Sequence, residues 1–307
     1  MAFDPKRSAS SGRFVLEVGD SRVAFLKEFS GLNYEADLAT HDHGPMNMQT
    51  KHMTNFKFTP GKASIGMSMG KEMHNWIKSS FRKEYATKNG AFIAGDFNYK
   101  ATHRVEFINA LITKVGVQKL SGDDKSACYF DVEFEAENVF HSDAGGEDIQ
   151  GNYKTKAKAW LASCFRFELA GLEESCKRVA SIDAFEWKQS IVSDAIGEQR
   201  IFTKHPAKVT VPDLKLAISS ADQKPWAEWA KKWFLEGKSL ADDHKDGAIV
   251  FLAPDMKTEL GRITLKGCGL KSFGDDAHKA NAETIKRFNV SLYVEEMDFD
   301  MQYVDAG

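Results

Sequence analysis

Hydrophobic and polar residues alternate along much of the chain, and this period of two is typical of half-buried β-strands. Short alternating runs are Phe14–Val18 and Phe165–Leu169, and longer ones extend from Phe130 to Val139 and from Phe288 to Phe299. At two places the spacing of apolar residues changes to three and four, which is typical of one face of a helix. The pattern therefore predicts a mainly β protein of the α+β class with two helices.

The predicted helices share an aromatic stripe that a helix needs in order to pack on a sheet. The stripe of the first helix consists of Met73, Trp76, Ile77, Phe81 and Tyr85, with Asn89-Gly90 as a possible end. The stripe of the second helix consists of Trp226, Trp229, Ala230, Trp233 and Phe234, between Pro225 and Gly237. Aligning the stripes predicts core positions at Trp76 and Phe81 and, equivalently, at Trp229 and Phe234.

The two halves of the chain repeat one order of elements, which indicates a tandem pair of domains. Lys51-His52 and Lys204-His205 each precede a strand-like run and then a helix, and Asn89-Gly90-Ala91 and Asp246-Gly247-Ala248 each precede further strands. Between the halves lies a polar, glycine-rich stretch without apolar periodicity. We predict a flexible tail at 1–12, a first domain at 13–140, a linker at 141–160 and a second domain at 161–307.

Composition excludes several classes of protein. Of the 307 residues, 42% are hydrophobic, and the formal charge of −3 comes without a long basic run, which argues against a dedicated nucleic-acid binder. The sequence has no apolar stretch of the roughly 18 residues that a membrane helix requires, and we expect synthesis in the cytoplasm and no membrane partner. The scattered spacing of the cysteines predicts buried free thiols at Cys128, Cys164, Cys176 and Cys268.

Candidate chemistry is sparse. His41-Asp42-His43 could begin a metal site that His52 or His74 completes, but the second half has no counterpart, and an exposed turn or interface loop explains the cluster better. The usual nucleotide-binding and zinc-protease motifs are missing from the sequence. An acidic run alternates with apolar residues and predicts a solvated strand face, or a charged face between subunits, that needs basic partners in the assembly: Asp131, Glu133, Glu135 and Glu137. We expect no enzyme, no cofactor and no bound metal.

Three segments resemble the tail tube proteins of contractile phages and related injection systems. They are Phe25–Leu32 (FLKEFSGL), Lys204–Val211 (KHPAKVTV) and Asp246–Asp255 (DGAIVFLAPD). The resemblance implies two tandem antiparallel β-sandwich or barrel domains, each flanked by one helix. Three departures from the family are the His41-Asp-His-Gly-Pro45 loop, the segment before each helix (Ser68-Met-Gly70 or Ser219-Ser220) and the duplication itself.

The resemblance also implies a structural role. A fused pair of tube domains would form a pseudo-sixfold ring from three chains, with C3 symmetry, and such rings would stack into a hollow tube for DNA or protein cargo. Sheath, baseplate or hub, and terminator proteins would be its partners in a virion tail or injection particle. Alternatives are a trimeric hub or adaptor at a tube end, or a secreted carrier like the ring-forming haemolysin-coregulated protein. Candidate contacts between subunits or rings are His41, Asp42, His43, Lys51, His52, Lys204 and His205.

Overall fold

Antiparallel strands dominate the protein, as the alternation predicts. The structure, a computed structural model, describes residues 12–303 except 20, 45–47, 68, 150–159, 199 and 276–284. The strands of the first half are β1 (Arg13–Val18), β2 (Ser21–Ser30), β3 (Tyr34–His43), β4 (Met48–Phe58), β5 (Gly61–Ile65), β6 (Lys88–Gly95), β7 (Ala101–Val117), β8 (Leu120–Ser121), β9 (Phe130–Glu135) and β10 (Asn138–Asp143). Helix α1 (Lys71–Phe81) lies between β5 and β6.

The second half has its own set of elements. Its strands are β11 (Phe165–Leu169), β12 (Val179–Ile182), β13 (Phe185–Asp194), β14 (Thr203–Thr210), β15 (Leu214–Ser219), β16 (Lys245–Leu252), β17 (Glu259–Asp275), β18 (Arg287–Tyr293) and β19 (Glu296–Met301). Its helices are the short α2 (Glu173–Cys176) and α3 (Gln223–Ala230), and a π-helical turn, Lys231–Leu235, continues α3. Short 3₁₀ turns lie at Ser220–Asp222 and Ala241–Asp243.

In the first half, six strands close into a barrel in the order β7-β6-β1-β2-β5-β9, because β7 pairs with both β6 and β9. β10 pairs with the other edge of the β7 segment that pairs with β6. Alternate residues of β9, namely Phe130, Val132 and Phe134, point into the core and are buried. The period of two read from the sequence thus places one face of each strand inside the barrel.

In the second half, the pairing order is β11-β16-β17-β18-β15-β12, with β19 on β17. β11 corresponds to β1 and β12 to β2 in this order, but β11 and β12 are not paired within the described part of the chain. The segment with α2 lies between them in sequence, where the first half has the tight β1–β2 connection. The second half is therefore an open version of the same strand order.

Helix α1 confirms the predicted stripe at Met73, Trp76, Ile77 and Phe81, all of which are buried, but Tyr85 lies beyond the helix and is 44% exposed. The predicted end at Asn89-Gly90 is wrong: α1 ends at Phe81, Arg82 caps it, and Lys83 has a positive φ of 61°. Gly90 lies in β6, where a Cβ atom would come within 2.2 Å of the Glu17 carbonyl oxygen. Close backbone approach explains this glycine.

Helix α3 buries Trp226 and Trp229, and the π-turn buries Trp233, as predicted. The prediction for Phe234 is wrong, because its side chain is 50% exposed. Phe81, at the corresponding end of α1, is covered by residues of the second half, including Trp187. In the described part of the chain, no ring packs on Phe234 in this way.

Each half also contains a long hairpin. β3 and β4 form a separate two-stranded sheet, whereas β13 and β14 join the barrel sheet through β7. β10 continues to Asp143, three residues beyond the predicted domain boundary at 140. Residues 1–11 of the predicted tail and 150–159 of the predicted linker lie outside the described residues. The predicted cysteines are confirmed as free and buried.

Candidate assembly interface

The two halves meet along a continuous sheet. β13 of the second half pairs with β7 of the first, from Phe185 opposite Val117 to Lys188 opposite Lys114. β12 pairs similarly with the short β8. The largest cluster of buried apolar residues likewise contains residues of both halves. Since β13 covers the outer edge of β7, one half completes a strand edge that the other half leaves open.

Helix α1 contacts β19 of the second half through polar groups. The Arg82 guanidinium donates two hydrogen bonds to the Asp298 carboxylate, at 3.1 and 2.8 Å, and Lys78 Nζ lies 2.9 Å from Asp300 Oδ1. The hydrogen bonds from Arg82 hold the pKa of Asp298 below its ordinary value. This bidentate geometry fixes the orientation of α1 on β19.

His74 lies deeper in the same contact. Its Nε2 accepts a hydrogen bond from the Met301 backbone N–H at 3.2 Å, and the residue is buried. Burial, together with the charge of Lys78, outweighs the opposing effects of Asn75, Asp300 and Asp298 and lowers the pKa of His74. The neutral ring is the form that this hydrogen bond requires, because a protonated Nε2 cannot accept.

An aromatic cluster fills the centre of the junction. The Phe81 ring stacks on Trp187 with centroids 4.7 Å apart and an interplanar angle of 14°, and it contacts Phe299 at 5.7 Å. Phe130 packs on Trp160 and on Phe299. Phe81 and Phe130 come from the first half, so the cluster joins the halves by apolar burial in addition to charge.

The acidic strand face has basic partners within the chain itself, whereas the sequence analysis expects them in the assembly. Lys62 and Lys114 contact Glu133 at 3.2 and 2.6 Å, and Lys204 Nζ contacts Glu135 at 2.8 Å. Burial would raise the pKa of Glu133, but the hydrogen bonds from Lys114 and Lys62 lower it overall. Lys204 comes from the second half, so this ion pair is also part of the junction.

The other predicted contact residues lie on the hairpins. His41 and Asp42 are exposed near the end of β3, and His43 is its last residue. Lys51 and His52 are exposed on β4, and the rings of His41 and His52 are 5.7 Å apart. His205 is exposed on β14. The described residues contain no group of three His, Cys, Asp or Glu side chains arranged to hold a metal ion.

Sequence reasoning missed the residues that make the junction, above all Arg82, Trp187, Asp298 and Phe299. Arg82 and Asp298 are 216 positions apart, and no local pattern relates residues at that distance. The one available signal was the aromatic pair at equivalent helix positions, Phe81 and Phe234. That pair was interpreted as core within each half, whereas Phe81 packs between the halves.

Residues 10–139 match the family model of the T4-like virus tail tube protein gp19. The first half of the chain therefore resembles this tail-tube family. The predicted resemblance is confirmed there, and the family is a structural one. No curated protein matches the sequence at a significant level.

Solved structures that are similar to this chain come from contractile injection systems. One is from the sheath–tube complex of the extracellular system PVC in its extended state, with 18% identity over 45% of this chain and 94% of that chain and a TM-score of 0.40. The PVC sheath/tube terminator gives the same identity, coverage of this chain and TM-score, over 99% of its own chain. The tube-terminating cap of the anti-feeding prophage has 15% identity over 51% and 97% of the two chains, with a TM-score of 0.37. Among the described residues, no helix is long and apolar enough to cross a membrane.

Proposed function

We propose that this chain is the repeating subunit of a tail tube, with a tail-tube-like domain in each half, and that three chains form each ring. The observation that carries the proposal is the match of residues 10–139 to the tail-tube family. The second half supports it with the same strand order and with one helix at the same place in that order. The proposed domains are those expected from the sequence, 13–140 and 161–307.

The junction supports the ring. A head-to-tail contact between similar domains generates a closed ring when its rotation closes. β13 covers the edge of β7, so one such contact is already made inside each chain. Three chains would then supply six domains and need three further contacts between chains.

The hairpins are the proposed contacts between stacked rings. The β3–β4 hairpin carries His41, Asp42, Lys51 and His52 on an exposed two-stranded sheet, together with the exposed apolar residues Leu38, Met48 and Met53. Exposed apolar side chains on such a projection favour contact with another protein surface. His43 and His205 remain in this proposed set, whereas Lys204 contributes to the junction.

In the particle, the tube would pass DNA or protein cargo and would meet sheath, baseplate or hub, and terminator proteins, with no catalytic role and no cofactor. Similar solved chains come from a sheath–tube complex, a terminator and a cap, which are the kinds of component expected. A trimeric hub at a tube end and a secreted ring-forming carrier remain the alternatives.

Electron microscopy and mass measurement of the purified chain test the proposal. We expect a species of three times 34.3 kDa that forms rings with threefold symmetry and, at higher concentration, stacked cylinders. Single rings that never stack would favour the hub, and isolated rings that retain cargo in a pull-down would favour the carrier. A chain that stays monomeric at high concentration contradicts all three.

A further inference from the structure

The two halves differ in one respect that identifies the contact between chains. Positions that are buried at the junction in one half have equivalents that are exposed in the other half. Phe81 is 5% exposed, whereas Phe234 and Leu235, at the same end of α3, are 50% and 79% exposed. The other buried positions of α1 have buried counterparts in α3 or in the π-helical turn that continues it. The exceptions are His74 and Phe81, which touch the second half.

The pairing registers define the equivalent positions on the opposing side. Asp298 of β19 lies opposite Thr264 of β17, and Phe140 of β10 lies opposite Glu106 of β7. Thr264 in turn pairs with Ala248, which follows Gly247 in β16. Glu106 pairs with Ala91, which follows Gly90 in β6. Phe140 is therefore the equivalent of Asp298, and it is 47% exposed.

The hairpins give a second equivalence. The β3–β4 pairing is irregular after Ala36, and the β13–β14 pairing is irregular after Gln189. Tyr34 and Trp187 each lie two residues before that irregularity. Trp187 covers Phe81 at the junction, whereas Tyr34 is 57% exposed and is held on β10 by a hydrogen bond from its hydroxyl to the Val139 carbonyl oxygen.

We infer that the surface formed by Phe234, Leu235 and the end of β17 binds the Tyr34–Phe140 surface of a second copy of this chain. The inference rests on the proposed function and deepens it by naming the face that joins chains. The open edges agree with it: β13 pairs with β7 next to Gly116, and the corresponding edge of β17, next to Gly274, has no second partner among the described strands. In the second copy, β3 is the strand that corresponds to β13, and within the described residues only β4 pairs with it.

The chemistry of the two contacts differs in a complementary way. Inside the chain, Arg82 faces Asp298; between chains, Leu235 would face Phe140. Both members of the ion pair are replaced by apolar residues, so charge meets opposite charge in one contact and apolar surface meets apolar surface in the other. A wrong pairing would place Arg82 against Phe140 or Leu235 against Asp298, and would leave a charge without its partner. The replacement favours strict alternation of first and second halves around the ring.

A charge swap at the contact between chains tests this inference. Leu235→Arg and Phe140→Asp each place one unpaired charge at the contact between chains. Each variant should raise the concentration for half-maximal assembly about 30-fold, which is the effect expected from the loss of one central interface contact. The double variant copies the Arg82–Asp298 pair and should restore assembly. Mass photometry across a dilution series measures the midpoint, and Phe97→Asp, which changes another exposed phenylalanine, is the control that should assemble normally.

A disulfide provides a second readout. Leu235→Cys combined with Phe140→Cys should give covalent trimers on oxidation, whereas Arg82→Cys with Asp298→Cys should close only within one chain. The native thiols are buried and should not interfere. Single charge variants that assemble like the wild type, or a double variant that stays impaired, would overturn the inference while the rings remain. A wild-type chain that never assembles would overturn the proposed function as well.

Discussion

Truncating Phe81 tests whether the halves hold each other together. Phe81 is 5% exposed and stacks on Trp187 at 4.7 Å. Removing a buried phenylalanine ring costs about 3–5 kcal/mol from lost transfer energy and the cavity that remains. We therefore expect Phe81→Ala to lower the free energy of unfolding of the monomeric chain by that amount, measured by urea denaturation at low protein concentration.

Phe234→Ala is the matched control, because it removes the same ring at the equivalent position of the π-helical turn that continues α3. Phe234 is half exposed, so this variant should cost about 1 kcal/mol or less in the monomer. Equal losses in the two variants would refute the reasoning, since they would mean that Phe81 gains nothing from the second half. Equal stability of Phe81→Ala and the wild type would refute it too.

Three further predictions follow from buried groups. The pKa of His74 is lowered in the folded chain, so near pH 6.5 the unfolded chain binds a proton that the folded chain does not bind. The free energy of unfolding should therefore fall as the pH drops below that value. His74→Gln should flatten this part of a stability–pH curve, because it removes the titrating group and retains an acceptor for Met301 N–H. Gly90→Ala should destabilise the chain by about 1–3 kcal/mol in thermal unfolding, because the added Cβ would overlap the Glu17 carbonyl oxygen. Gly66→Ala is the control: its added Cβ would have no atom within 4 Å, so stability should change by less than about 0.5 kcal/mol. Burial raises the pKa of Cys128, Cys176 and Cys268 to about 12. Iodoacetamide at pH 8 should therefore leave these thiols unmodified until the chain unfolds, which mass spectrometry can measure. Rapid labelling of the native chain would contradict this prediction.

Much of the local structure could be predicted from the sequence. Alternation located β1, β9 and β11, and the aromatic stripes located both helices, because strands and helices with one buried face impose a period on the residues that fill it. The end of α1 was misplaced, since Asn89-Gly90 has the composition of a helix stop but serves a close approach of β6 to β1. A glycine required for space and one required for a positive φ are alike in sequence.

The junction could not be predicted in the same way. Its contacts join α1 to β19 and β7 to β13, and nothing near Arg82 in sequence specifies an acidic partner on the last strand. Phe234 shows the limit most clearly, because its sequence context matches that of Phe81. Only the neighbour that each ring meets differs, and that neighbour is a property of the assembled fold.

The different chemistry of the two contacts has a physical rationale. Halves joined in one chain meet at a high effective concentration, so their contact can include polar pairs such as Arg82–Asp298 that contribute little net free energy when partly exposed. Separate chains lose translational and rotational freedom when they associate, and apolar burial is the main favourable term that offsets this loss. The exposed side chains of Phe234, Leu235, Tyr34 and Phe140 are those that such a contact would bury. A single-domain subunit must use one contact everywhere in its ring, whereas this chain can place charge where the halves are linked and apolar surface where they are not.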